Sequence, residues 1–293
     1  MNKDLFPQIE GFNVFGEPLI QSPLSQEVKD KLEKQFKEAL TKFEKNPNNS
    51  NNIIWLGRRT AYLGRFRDAI SIFSRGIKQF SDDPRMYRHR GHRFLTLRYF
   101  NLAYEDFKKA SQLIKGRDDQ VEPDGVPNSR GIPVSTLHSN IWYHLGLAAY
   151  LLGKLNNAKD AYETCIKVSK LDDNYVSTGY WLYMTLLLLE QEKEAKKVLT
   201  KVSKEMDIIE NFHYHKLLLM YKGQKEPEEL LKNARDEGPM SLATIGYGIA
   251  NWYLYKKEKE KAREILIEIH SLDVWASFGC IAAEVTLKQL EKK

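Results

Sequence analysis

The sequence predicts an all-α protein, a solenoid in which antiparallel helix pairs stack into an α-α superhelix. Three observations carry that prediction. Two windows repeat without a gap at thirty-four residues, and a third follows after an interruption. Apolar residues recur at helical spacing between short polar turns along most of the chain. The 293 residues exceed one ordinary core, yet 42% apolar and 29% charged residues are enough to fold it and keep it in water.

In the first window Leu56-Gly57, Gly64, Phe66, Ala69, Phe73 and Gly76 hold fixed spacings. Thirty-four residues on, Arg90-Gly91, Arg98, Phe100, Ala103, Phe107 and Ala110 take the same places. The third window reads Trp142-x-x-Leu145-Gly146, Gly153, Leu155, Ala158, Tyr162 and Cys165. The spacing has a mechanical reason. Small residues at Gly57, Gly91 and Gly146, and at Ala69, Ala103 and Ala158, let two helices approach, and Phe73, Phe107 and Tyr162 fill the space beside them.

The elements follow in order. Residues 1–24, rich in Pro, Gly and Phe, are expected to lie extended against the array. Residues 25–292 form the repeat domain. It opens on a lone helix at 25–45, with Leu32, Phe36, Ala39 and Phe43 on one face. Repeats are expected near 51–83, 84–115, 139–171, 174–205, 207–236 and 241–272. Pro227 opens a second helix in the fifth. A capping helix at 275–291 would cover the last repeat, which has no neighbour of its own. Residues 116–138 carry three Pro and three Gly, so they form a non-helical insertion. Its length reads as an ordered lid rather than a connection.

Trp142-x-x-Leu145-Gly146 with Ala158-x-x-x-Tyr162 resembles the tetratricopeptide repeat (TPR), in its bacterial type. That resemblance implies a concave groove lined by the first helix of each pair. Carried over by position, the lining includes Arg58 and Tyr62, Arg85, Arg88 and His92, then Tyr143, Tyr150 and Tyr180. His213, Tyr247 and Asn251 come from the later repeats, and the insertion adds Glu122, Asp124 and His138. The family's carboxylate clamp for chaperone tails is not matched, because its positions hold Ile54, Arg58, His89, Asn140 and His144.

Charge is unevenly placed. Residues 51–115 hold 14 Lys+Arg against 5 Asp+Glu, and 10 of the chain's 14 Arg. Arg is favoured where a planar fork must grip a carboxylate or phosphate. Arg90 stands where the repeat buries Leu, and Glu122 or Asp124 would serve as its partner.

These features predict a TPR scaffold whose Arg/His/Tyr groove, partly covered by the insertion, binds a peptide or small anionic ligand. The alternative is an enzyme with a His/Glu/Asp acid-base or metal site under the lid. Nucleic-acid binding through the first two repeats ranks below both, for want of a one-base-per-repeat code. His89 and His92 could bridge a metal by spacing, but no ligand motif, phosphate loop or nucleophile elbow accompanies them. Catalytic residues stay unassigned, and no metal or cofactor is expected. Cys165 and Cys280 read as buried thiols. No run is long enough to span a bilayer. The cytoplasm is the expected compartment, with export the alternative had a leader been removed.

Overall fold

Six helix pairs each turn through one residue with positive φ: Gly64, Arg98, Gly153, Glu190, Gly223 and Lys257. At every turn two backbone bonds close the helix end, as with Gly64 N to Ala61 O (3.0 Å) and Arg65 N to Thr60 O (3.3 Å). This is a Schellman closure, which satisfies the carbonyls a helix terminus leaves open. Glycine enters that conformation without a Cβ penalty, whereas Arg98, Glu190 and Lys257 adopt it against their side chains.

A computed structural model describes residues 8–21, 23–123, 125 and 127–291. The chain divides into two compact units, Met1–Arg117 and Asp118–Lys293. Fourteen helices and one short hairpin account for the regular structure among the described residues.

In the first unit, β1 (Ile9–Phe12) and β2 (Pro18–Ile20) pair antiparallel. The segment expected to lie simply extended is therefore a hairpin. Asn13 makes its turn by accepting from the amides of Phe15 (2.9 Å) and Glu17 (3.0 Å). Helices follow as α1 (Gln26–Lys45), α2 (Ser50–Tyr62), α3 (Phe66–Gln79), α4 (Pro84–Thr96) and α5 (Phe100–Leu113). Asn49 caps α2, and Asp83 with Pro84 starts α4. The N-cap residue of α3, Arg65, accepts no capping bond from the α3 amides. The hairpin does so instead: buried Glu10 accepts from the Arg67 amide at 2.9 Å, and Gln21 donates to Leu63 O.

In the second unit, α6 (Leu137–Leu151) pairs with α7 (Leu155–Val168), and α8 (Asp172–Leu188) with the short α9 (Glu192–Thr200). Then come α10 (Phe212–Tyr221) with α11 (Pro227–Glu237), α12 (Pro239–Tyr255) with α13 (Lys259–His270), and α14 (Phe278–Leu290). The insertion is tied down by a Val121–Thr136 bridge and by the capping box of Thr136 and Ser139 at the start of α6. Arg130 pairs with Asp207 (2.6 Å) and Asn128 with Glu210 (3.3 Å), which fastens the insertion to the irregular stretch 201–211. Buried Asp173 holds that stretch from below. It accepts from the amides of Ile209, Glu210 (3.1 Å) and Asn211 (2.9 Å) and from the Asn211 side chain (2.7 Å).

The small-residue rule of the repeat is physical here. A Cβ on Gly57 would meet the Phe73 ring at 2.4 Å, one on Gly91 the Phe107 ring at 3.0 Å, and one on Gly146 the Tyr162 ring at 2.5 Å. These are close-packed antiparallel helix pairs, as the repeat spacing predicts.

Candidate functional site

The first unit places six arginines on α2 and α4, and they fall into two kinds. Some are spent on structure. Arg85 binds Asp83 (2.6 Å), Asn51 (2.6 Å) and Ser50 (2.9 Å), so it is not a free groove cation. Arg90 makes a two-pronged pair with Asp106 (2.8 and 2.7 Å) and adds Ser74 (3.1 Å). The expected partners from the insertion are thus replaced by an aspartate on α5, the second helix of the same pair. Sixteen residues apart in sequence, the two face one another across the hairpin. Burial raises the Asp106 carboxyl, and the Arg90 guanidinium opposes that.

Other arginines have no such partner. Arg58 lies 4.4 Å above the Trp55 ring and donates to the Tyr62 hydroxyl at 3.2 Å. Arg93 rests 5.6 Å from the Phe66 ring. Neither Arg58 nor Arg93 has a carboxylate partner among the described residues. Burial, then the neighbouring charges of Arg88 and Arg58, hold the Arg93 guanidinium down at about 10. Buried His89 stacks on Phe73 (centroids 5.5 Å) and faces Arg88 at 3.0 Å through Nδ1. Its pKa lies well below the ordinary histidine value, through burial first and then Arg88, Arg58, Arg93 and Arg85. A neutral ring accepts from Arg88 where a charged one could not. His92 sits half-buried on α4. Four arginine side chains therefore act on one buried imidazole, two of them lacking a counter-charge.

The second unit treats its expected lining differently. Tyr180 and Tyr247 are each 1% exposed and Tyr150 is 8% exposed, so these rings are packed interior rather than an open groove. Part of this packing comes from α14, which packs on α12 and α13 and also reaches α6. Its Phe278 ring lies 5.6 Å from His144 and 6.5 Å from Tyr143, and Thr286 bonds Tyr247 at 3.2 Å. The expected end cap also covers the inner face. Beneath it Tyr143 accepts from Trp181 Nε1 (2.8 Å), and Tyr150 bonds Tyr247 (2.9 Å). The Tyr180 hydroxyl is buried with no hydrogen-bond partner, held among Trp181, Tyr214 and Tyr221. Desolvation pushes the phenols of Tyr143, Tyr150 and Tyr180 well above their usual range, so all stay neutral.

Two cavities in this unit touch the expected lining. One, of about 240 Å³, is polar, with Asn140, His144, Tyr214 and Glu210 in its wall and Ser135 of the insertion at its edge. The other, of about 470 Å³, is mainly apolar and includes Tyr150 and Asn251. Asn251 donates to Tyr247 O at 2.9 Å. Glu122 is buried and accepts from Asn140 at 2.7 Å, a role inside the second unit and not beside Arg90. His138 donates its backbone amide to Asp119 (3.0 Å), while its Nε2 is buried without a partner. Asp124 lies outside the described residues.

His213 does have a carboxylate in reach, Glu237 at 3.0 Å, but Glu237 also binds Lys216 and Ser241, both at 2.8 Å. Those three donors, led by Lys216, lower its carboxyl to about 2. A general base works best with a pKa near the working pH, so this group is a tie between α10, α11 and α12. Among the described residues no group of three or more His, Cys, Asp or Glu could hold a metal ion. Sequence reasoning passed over Trp55, Arg93 and Phe278. Trp55 and Arg93 were legible as an aromatic and a cation next to the shared glycine register, whereas Phe278 carried no signal.

No protein-family model matches the chain, and neither does any curated protein. Solved structures do resemble it. YrrB, described as a TPR protein with an unusual peptide-binding site, is 15% identical over 81% of this chain and 95% of its own, with a TM-score of 0.46. MamA is 15% identical over 70% of this chain and 100% of its own, at 0.45. The APC/C hetero-tetramer Cut9–Hcn1 is 16% identical over 89% of this chain and 40% of its own, at 0.49. No ligand passes from them to this protein. Among the described residues no helix is long and apolar enough to cross a membrane.

Proposed function

We propose that the protein is a binding scaffold whose α2–α4 face captures the acidic group of a peptide. One observation carries this reading: Arg58 and Arg93 stand without a carboxylate partner beside Arg88, and burial, then the charges of Arg88 and Arg58, lower Arg93 to about 10. A concentration of cations that the fold does not neutralise is stabilised by an anion from outside. Trp55 and Tyr62 hold the Arg58 fork in place, so less freedom is lost on binding. A free small anion offers the same charge, but a peptide adds side chains for the aromatic flank of the site.

Fluorescence anisotropy with a labelled peptide ending in Asp and Glu, against its Asn/Gln counterpart, tests the idea. The acidic peptide should bind, and the double variant Arg58→Ala/Arg93→Ala should weaken it by about tenfold or more. Equal affinity for wild type and double variant, or for the two peptides, would sink the reading. A single-stranded oligonucleotide binding more tightly, with a steep salt slope, would move it to nucleic acid.

A further inference from the structure

We propose that the second unit holds a separate site for a small, planar, uncharged molecule with one hydrogen-bond donor. A cavity of about 470 Å³ lies among the first helices of its pairs, with α14 along one side. Its volume falls within the range of small-molecule sites, and a packed core leaves no such space.

Shape comes from a continuous aromatic wall. Tyr183 stacks on Tyr221 (centroids 4.6 Å, planes 18° apart), Tyr221 meets Trp252 at 5.9 Å, and Trp252 meets Tyr255 at 6.1 Å. These rings are held by one another before any ligand arrives, so a flat ring finds its stacking surface preformed. Met184, Leu187, Val285 and Leu290 also line the space with apolar atoms. Met184 adapts to ring edges better than a branched side chain would.

Charge comes from what else touches the cavity. One acid, Glu190, and one base, Lys259, line it, so the wall has no net preference for either sign. An ionised ligand would lose its water without a matching counter-charge. The polar groups set the donor. The hydroxyls of Tyr150 and Tyr221 are already engaged, with Tyr247 (2.9 Å) and with Gly248 O (3.0 Å). The Asn251 side chain is engaged with Tyr247, which leaves the amide oxygen of Gln289 on the cavity wall as an acceptor for a ligand hydroxyl or N–H. The cavity matches a neutral phenol or indole-like ring system.

The probe is 2-naphthol, followed by isothermal titration on the full chain. One saturable site per chain is expected. Met184→Trp and Leu290→Trp, which fill the cavity, should each weaken binding about tenfold or more. Arg58→Ala should leave it unchanged. Should Met184→Trp unfold the unit, Leu290→Trp at the partly exposed end of α14 carries the test. Crystals soaked in 6-bromo-2-naphthol should place the bromine signal between Met184 and Trp252. The proposal is overturned by absent saturation, by unaltered binding to Leu290→Trp, by bromine located elsewhere, or by naphthalene-2-sulfonate binding as tightly as 2-naphthol.

Discussion

The first helices of the pairs do opposite work in the two units. In the first, α2 and α4 present guanidinium groups that the fold leaves without counter-charge. In the second, α6, α8, α10 and α12 turn aromatic rings inward, and α14 packs against some of them. Positions counted from the shared glycine make the contrast concrete. Arg58, His92 and Leu147 each follow that glycine, and Arg59, Arg93 and Ala148 come next. Leu147 and Ala148 are both 0% exposed. The same place in the repeat thus carries cations in one unit and buried apolar residues in the other.

Substitutions can break that contrast. The largest effect is expected at Asp173, whose carboxylate answers three backbone amides in the second unit. Asp173→Ala should cost about 3 kcal/mol, because buried donors lose their acceptor. Urea unfolding should show it, with hydrogen exchange rising first at residues 206–211. Retained protection there would mean that the Arg130–Asp207 contact, not Asp173, holds the stretch.

A paired comparison of smaller size sharpens the point. Tyr247→Phe removes bonds to Tyr150 and Thr286 and should cost about 1 kcal/mol. Arg93→Met should cost nothing and should stabilise by up to about 1 kcal/mol, since a half-buried charge without a carboxylate partner is replaced by an apolar chain. The sign agrees with the lowered pKa of Arg93, about 10. The folded state disfavours the charged form, and that penalty is fully present at neutral pH and relieved only as pH rises above 10. Equal losses for both variants in urea midpoints would erase the proposed division of labour.

The smallest effect concerns acid. Glu237, lowered to about 2, contributes stability that is present above the ordinary carboxylate range near 4.5 and lost as pH falls from there toward 2. Its side chain is 40% exposed, so solvent screening limits the contribution to under about 1 kcal/mol. Glu237→Gln should flatten the acid limb of the melting curve between those values and leave pH 7 stability within about 1 kcal/mol of wild type. An unaltered acid limb would remove Glu237 from the second unit's ties.

Repeat legibility tracked the glycine and aromatic register rather than the turn residue. The pairs that turn at Gly64, Arg98 and Gly153 share that register and were plain in the sequence, whereas those that turn at Glu190, Gly223 and Lys257 lack it and were fainter. Candidate site residues were found by position and misjudged by exposure. Arg58 sits on a cationic face, but Tyr247 bonds α14 and Tyr150, and Tyr180 is enclosed by Trp181, Tyr214 and Tyr221, packing that a repeat register cannot place.

The sequence by itself determined the helix pairs, because their causes are local or recur at a fixed distance. Caps at Asn49, Asp83 and Thr136, and glycine opposite an aromatic ring one helix later, need only short-range geometry. Tertiary structure decided which charges pair and which faces stay open. Arg90 chooses Asp106 over the insertion's acids, Glu10 caps a helix far along the chain, and α14 bonds Tyr247. Each depends on which distant segment arrives within a few ångströms, and burial, not residue type, sets whether a polar side chain recognises a partner or holds the fold.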